Sequence, residues 1–138
     1  MRGGERGAAP LVLDTARVRR MYARTVPNLY DAILRESDSL LLTRPQIEEL
    51  QRDRAVYAAR VDSVWRELAR TLVGLGARYR ESGAFKLQEA AAKDVSEIAR
   101  QAARSLDGVL TPVQLRLVPF PANFLRRAKR GDMLRFLF

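Results

Sequence analysis

Two short motifs in this sequence place a threonine hydroxyl three residues before a glutamine amide, which is the spacing of a helix-capping pair. A threonine at the N-cap accepts a hydrogen bond from the backbone N–H three residues on, and a glutamine there can accept one from the N-cap N–H. A proline in the first turn fits both motifs, because its missing N–H is not needed there. The motif residues are Leu42, Thr43 and Gln46 in "LTRPQ" and Leu110, Thr111 and Gln114 in "LTPVQ". We predict that each motif begins a helix, with direct ligand contact as the alternative.

Side chains suited to catalysis or metal binding are scarce. The chain has no histidine and no cysteine, which removes the commonest general base, the thiolate nucleophile and the commonest soft metal ligands. Serines such as Ser63 and Ser96 therefore lack a histidine to activate them, and Glu48 and Glu49 follow the pattern of a solvated helix face. The sequence predicts no enzyme, no catalytic residue, no metal site and no cofactor.

Apolar residues recur at helical spacing and favour an all-α fold. One stripe starts after Thr43 and predicts a single helix of about 35 residues; a second runs from Leu87 to Val109. A glycine-containing break at Ser82-Gly83 separates them, so the two long helices are predicted to form an antiparallel hairpin with short flanking helices. One flanking helix is expected after Asn28 and another after Thr111.

The positive charge is concentrated at the two ends of the chain. The net charge is +9, yet residues 28–115 hold thirteen basic and thirteen acidic side chains. We divide the chain into a disordered basic N-terminus (1–13), a helical domain (14–117) and a basic amphipathic C-terminal tail (118–138). The arginine-rich ends reflect genomic bias or contact anionic lipid, nucleic acid or an acidic partner. Nucleic acid is disfavoured, because the long helices are charge-balanced and no reading motif is present.

The C-terminal tail alternates apolar and basic side chains after two prolines. Such a segment can lie on an anionic membrane surface. Its alternatives are to fold back on the helices, to cover a dimer seam, or to act as a strand-like signal. The predicted contacts to an anionic surface are Arg126, Arg127, Lys129 and Arg130.

A second set of predicted contacts lies on the first long helix. Arg54 shares a seam with apolar residues, where an aliphatic side chain would be expected. It extends along its aliphatic stem to water, pairs with a carboxylate of the second long helix, or lines a concave, partly polar binding face. Tyr57 and Trp65 belong to the same region. We predict Arg54, Tyr57 and Trp65 as partner-binding residues, with a plain core role as the alternative for both aromatics.

Two copies of Leu-Thr-x-x-Gln flanking a long helical pair resemble the LTxxQ-motif family of bacterial envelope proteins, the Spy-like and CpxP-like periplasmic helical hairpins. The resemblance covers residues 28–117, and its motif positions are the six residues named above. It implies a small all-α protein, often a curved antiparallel dimer, whose concave face holds partly unfolded clients in the periplasm. The absence of histidine disfavours the metal-sensing role of some relatives.

The function that follows is a non-enzymatic protein-binding domain, a periplasmic chaperone or stress-response protein that holds client or partner polypeptides. One alternative is a helical interaction or assembly domain of a larger envelope protein, without chaperone activity. Another is a basic protein associated with a membrane surface or nucleic acid. No signal peptide is recognisable, so the expectation is a mature form or a fragment in the cell envelope, with the cytoplasm as the alternative.

Overall fold

The computed structural model describes residues 28–75 and 81–129, and every regular element within these ranges is helical. The elements are α1 (Leu29–Arg35), α2 (Arg44–Leu75), α3 (Glu81–Ser105), a 3₁₀ turn (Leu106–Gly108), α4 (Pro112–Leu117) and α5 (Ala122–Leu125). The all-α prediction is therefore confirmed. The predicted N-terminal segment 1–13 and Arg130 lie outside the described residues.

Helix α1 begins where an asparagine caps it. The Asn28 side-chain oxygen accepts a hydrogen bond from the Tyr30 N–H at 2.9 Å, and Asp31 in the first turn complements the helix dipole. Leu29 and Ile33 on its inner face are fully buried. This short helix therefore contributes mainly to the core.

The turn between α1 and α2 is closed by a Schellman-type pair of hydrogen bonds. The Leu42 N–H donates to the Ser37 carbonyl at 3.0 Å, and the Leu41 N–H donates to the Asp38 carbonyl at 3.1 Å. Leu41 occupies the position that usually favours glycine, with φ 54°. A leucine there is strained by about 1–2 kcal/mol, which is a cost that the surrounding contacts must offset.

The two long helices pack along each other. Helix α2 has 32 residues, close to the predicted length, and spans about 48 Å at 1.5 Å per residue. Arg60 of α2 reaches Gln101 of α3, while Thr71 of α2 shares a cleft with Leu87 of α3. Contacts therefore extend along most of both helices.

The buried apolar residues form two clusters. The first joins all the helices at one end of the molecule; its fully buried members include Leu29, Ile33, Leu50, Leu106 and Leu125. The described members of the second lie between α2 and α3 and include Trp65, Leu68, Leu72, Ala91 and Val95. We call the first the clasp-end core, because it lies at the end where Gln46 and Gln114 form the hydrogen-bonded clasp described below, and the second the far core.

The first part of the predicted C-terminal tail is packed into this structure. Val118, Ala122 and Leu125 belong to the clasp-end core, and Ala128 is also buried. The Arg100 guanidinium of α3 is almost fully buried and donates from Nε to the Ala128 carbonyl at 3.3 Å. Residues 118–129 thus fold back against the helices, one of the alternatives considered for this segment.

Candidate functional site

Both motifs form the predicted capping boxes. The Gln46 N–H donates to Thr43 Oγ1 at 3.3 Å, and the Thr43 N–H donates to Gln46 Oε1 at 2.9 Å. In the second motif the Gln114 N–H donates to Thr111 Oγ1 at 3.2 Å, and the Thr111 N–H donates to Gln114 Oε1 at 2.9 Å. These bonds satisfy backbone donors that the first turn of a helix leaves unpaired.

The two motif glutamines also bond to each other. Gln46 Nε2 donates to Gln114 Oε1 at 2.8 Å, and Gln114 Nε2 donates to Gln46 Oε1 at 3.1 Å. Each amide also reaches a carbonyl that precedes the opposite motif. Gln46 Nε2 donates to Val109 O at 3.0 Å, and Gln114 Nε2 donates to Leu40 O at 3.1 Å. We call this network of Thr43, Gln46, Thr111 and Gln114 the clasp.

The clasp explains why both motifs need glutamine. Each Oε1 accepts from its own N-cap N–H and from the opposite amide, and each Nε2 donates across to the other motif and to a backbone carbonyl. A glutamate would offer no amide donor, and a methionine would leave the carbonyls unpaired. Gln114 is buried, so an unpaired partner would cost free energy. The sequence predicted the local caps but not this pairing.

The three predicted partner-binding residues have three different environments. Arg54 forms an ion pair with Asp31 of α1, and the two side chains are 49% and 42% exposed. Tyr57 is buried and packs edge-to-face against Tyr30, with ring centroids 5.7 Å apart. Trp65 is 3% exposed in the far core. The structure does not bring these residues together on one open surface; the core alternative fits both aromatic rings.

Two open clefts lie between α2 and α3 instead. The clasp-side cleft has a volume of about 300 Å³, and its lining residues are Tyr30, Asp53, Val56, Tyr57, Arg60, Gln101, Ala102 and Ser105. The far cleft has a volume of about 340 Å³, and its lining residues are Ser63, Val64, Glu67, Leu68, Thr71, Leu87, Ala91 and Asp94. Among the predicted contacts that the structure describes, Tyr57 is the one that lines a cleft. The signal that could have indicated them is the seven-residue spacing of Asp53, Arg60 and Glu67.

Burial sets the electrostatics of the clasp-side cleft. Burial and the hydrogen bond to Glu49 raise the pKa of Asp53 above its usual range, while Arg52 acts in the opposite direction. The hydrogen bond and charge of Arg52 lower the pKa of Glu49. Burial, with the charge of Tyr30, raises the pKa of Tyr57 to about 12. A cationic group placed beside Asp53 would favour its charged form.

The residues predicted to contact an anionic surface also lie in different environments. Arg126 Nη2 donates to Asp107 Oδ1 at 2.8 Å, so this arginine joins the end of α3 to α5. Arg127 and Lys129 are exposed. Nearby, Val113 and Leu117 on α4 are 57% and 61% exposed. Helix α4 and the described part of the tail therefore together present exposed apolar and basic side chains.

Within residues 28–75 and 81–129, no group of three or more acidic residues is arranged to hold a metal ion. No helix in the described part of the chain has the length and apolar character needed to cross a membrane.

Comparison with known proteins gives no match: no family model matches the chain, and neither a curated protein nor a solved structure does so. The likeness to the LTxxQ family therefore rests on the two motifs themselves.

Proposed function

We propose that α2 and α3 form a long antiparallel hairpin whose open side binds polypeptides, as a non-enzymatic, chaperone-like protein of the LTxxQ type in the bacterial envelope. The observation that carries the proposal is the pair of open clefts between the two helices. Their apolar residues, such as Leu68 and Leu87, are bordered by charged ones, such as Arg60 and Glu67. An apolar floor with a charged border is suited to holding polypeptide side chains.

The clasp supports this proposal in a different way. It joins the turn before α2 to the start of α4. Residues of both connecting segments belong to the clasp-end core. Because the polar groups of the two motifs hydrogen-bond to one another, we assign the motifs a structural role and assign polypeptide binding to the clefts.

The test is light scattering from an aggregation-prone client, with and without this protein, at low salt and at about 0.5 M salt, where the Debye length falls to a few ångströms. Suppression that survives salt is expected from apolar clefts. Loss of suppression in salt would instead assign it to the basic ends of the chain. Absence of suppression at either salt would contradict the chaperone role and leave a helical interaction domain.

One observation favours a second candidate function, adhesion to an anionic membrane surface. Residues 108–129 contain four basic and no acidic side chains, and Leu117 and Phe120 in this segment are 61% and 49% exposed. Anionic lipid suits a surface that combines apolar and basic side chains. Co-sedimentation with anionic but not neutral vesicles is expected, weakened by Leu117→Ser. The matched control is Val73→Ser on α2, which should leave vesicle binding unchanged.

A further inference from the structure

The two clefts lie on the same side of the α2–α3 pair, and together we call them the groove. The α2 residues that line them fall within an arc of about 140° at 100° per residue, and the α3 residues fall within about 100°. The α2 positions are Asp53, Val56, Tyr57, Arg60, Ser63, Val64, Glu67, Leu68 and Thr71, and the α3 positions are Leu87, Ala91, Asp94, Gln101, Ala102 and Ser105. From Asp53 to Thr71 the groove is about 27 Å long.

Charges alternate along this groove at a fixed spacing. Asp53, Arg60 and Glu67 are seven residues apart, so they lie at intervals of about 10.5 Å on nearly the same side of α2. Asp94 of α3 adds a second carboxylate to the cleft that Glu67 lines, and Gln101 contacts Arg60 at 3.5 Å. The order along α2 is negative, positive, negative.

This spacing distinguishes between the backbone conformations that an occupant could adopt. Side chains on one face of an extended strand repeat at about 6.8 Å, and those of a polyproline helix at about 9.3 Å. Neither repeat matches 10.5 Å. Side chains seven residues apart on an α-helix do match it, since the rise per residue is the same in both helices.

We propose that the groove binds an amphipathic helix of a partner polypeptide that carries basic, acidic and basic side chains at seven-residue intervals. The proposal rests on the polypeptide-binding function proposed above and names its substrate class. The charged residues of the partner would face Asp53, Arg60 and Glu67, and its apolar residues would pack on Val64, Leu68, Leu87 and Ala91. This is the geometry of a third helix added to a helical pair.

A second copy of this chain satisfies part of the charge series. In a two-fold antiparallel pairing of α2 with α2 centred on Arg60, Arg60 would meet Arg60, and Asp53 would meet Glu67; in a parallel pairing in register each residue would meet its own copy. A pairing centred between Arg60 and Glu67 would join these two residues across the axis but leave Asp53 without a basic partner. A helix with basic, acidic and basic side chains matches all three positions at once.

The experiment uses fluorescein-labelled 21-residue helical peptides with identical composition. One carries Lys, Glu and Lys at equivalent positions of three heptads, and its matched control carries Lys, Lys and Glu. Fluorescence anisotropy with the full chain in about 0.1 M salt is expected to give an affinity at least about tenfold higher for the first peptide. Equal affinities within about twofold would overturn the proposal.

A charge reversal in the protein sharpens the test. Arg60→Glu turns the series into three carboxylates, so the preferred peptide should become one with Lys at all three positions. The control is Arg44→Glu, which makes the same charge change at a 91% exposed side chain on the opposite side of α2; it should keep the original preference. A preference unchanged by Arg60→Glu would contradict the assignment.

The outcomes for this proposal and for the proposed function differ. If no peptide shows the pattern preference but client aggregation is suppressed, the helix-binding inference fails and the chaperone-like function stands. If the pattern preference holds without suppression of aggregation, the inference stands and the chaperone role fails. If the chain self-associates and Arg60→Glu abolishes this self-association, the inference is overturned, because a second copy would then be the occupant.

Discussion

The clasp end and the far half of the α2–α3 pair use the same two helices but are packed differently. At the clasp end, α1, α4 and α5 add to the pair, and the core contains fully buried Leu50 and Leu106. In the far half, the described core residues all come from α2 and α3, and Leu68 lines an open cleft. More packing elements leave fewer side chains in contact with water, so we expect stability to reside mainly at the clasp end.

The difference also separates polar groups by role. The side-chain amides of the clasp glutamines hydrogen-bond to each other and to nearby backbone groups. The charged side chains of the groove make more open contacts: Arg60 reaches Gln101 at 3.5 Å, and Glu67 makes an exposed contact with Arg70 at 3.5 Å. Closed hydrogen-bond networks stabilise a fold, whereas charges on an open border remain accessible to a partner.

The largest expected effect compares two core leucines. Leu50→Ala should lower the free energy of unfolding by about 4 kcal/mol, because it leaves a closed cavity. Leu68→Ala should cost about 2 kcal/mol, because water from the far cleft can fill the space. Urea denaturation of both variants measures the difference. Equal losses would show that the two halves are equally well packed.

Alkaline pH should act on the clasp end through Tyr57. Its hydroxyl ionises near pH 12 in the folded protein but near 10 when unfolded. The folded state therefore holds an extra proton between these values, and stability present below pH 10 is lost as the pH rises to 12. The loss should be about 3 kcal/mol. Urea unfolding across this range measures it, and Tyr57→Phe should remove most of this dependence. An unchanged profile in that variant would contradict the assigned cause.

The contributions of the two clasp glutamines to the free energy of unfolding should depend on each other. Gln114→Ala is expected to cost about 2 kcal/mol, because it leaves buried carbonyls unpaired, and Gln46→Ala about 1 kcal/mol, because this side chain is less buried. A double-mutant cycle should give a coupling energy of about 1 kcal/mol. Strict additivity would mean that the two amides do not stabilise each other.

The smallest effect should come from one capping hydroxyl. Thr43→Ala removes the acceptor for the Gln46 N–H and should lower stability by about 1 kcal/mol, while binding of polypeptide clients stays unchanged at temperatures well below the melting transition. Thermal denaturation and the light-scattering assay measure the two quantities. Loss of binding with an unchanged melting temperature would assign the motif to ligand contact.

Local chemistry made several features predictable. Asn28 and both threonines were expected to cap helices, and the structure confirms these caps. The partner of Arg54 was not predictable in the same way. The expected carboxylate was on the second long helix, but Asp31 of α1 provides it. The cap depends on residues three positions apart, whereas the ion pair depends on how α1 crosses α2.

The sequence alone determined where α1, α2 and α4 begin and that the long helices are amphipathic, because capping bonds and apolar periodicity act within a few residues of the chain. The tertiary structure decided that Gln46 meets Gln114, 68 residues away, and that Trp65 lies in the core. It also decided that residues 118–129 pack against α3 and that Asp53, Arg60 and Glu67 border an open groove. Each of these depends on the relative placement of separate helices, and that placement is set by the burial of apolar surface from several elements at once.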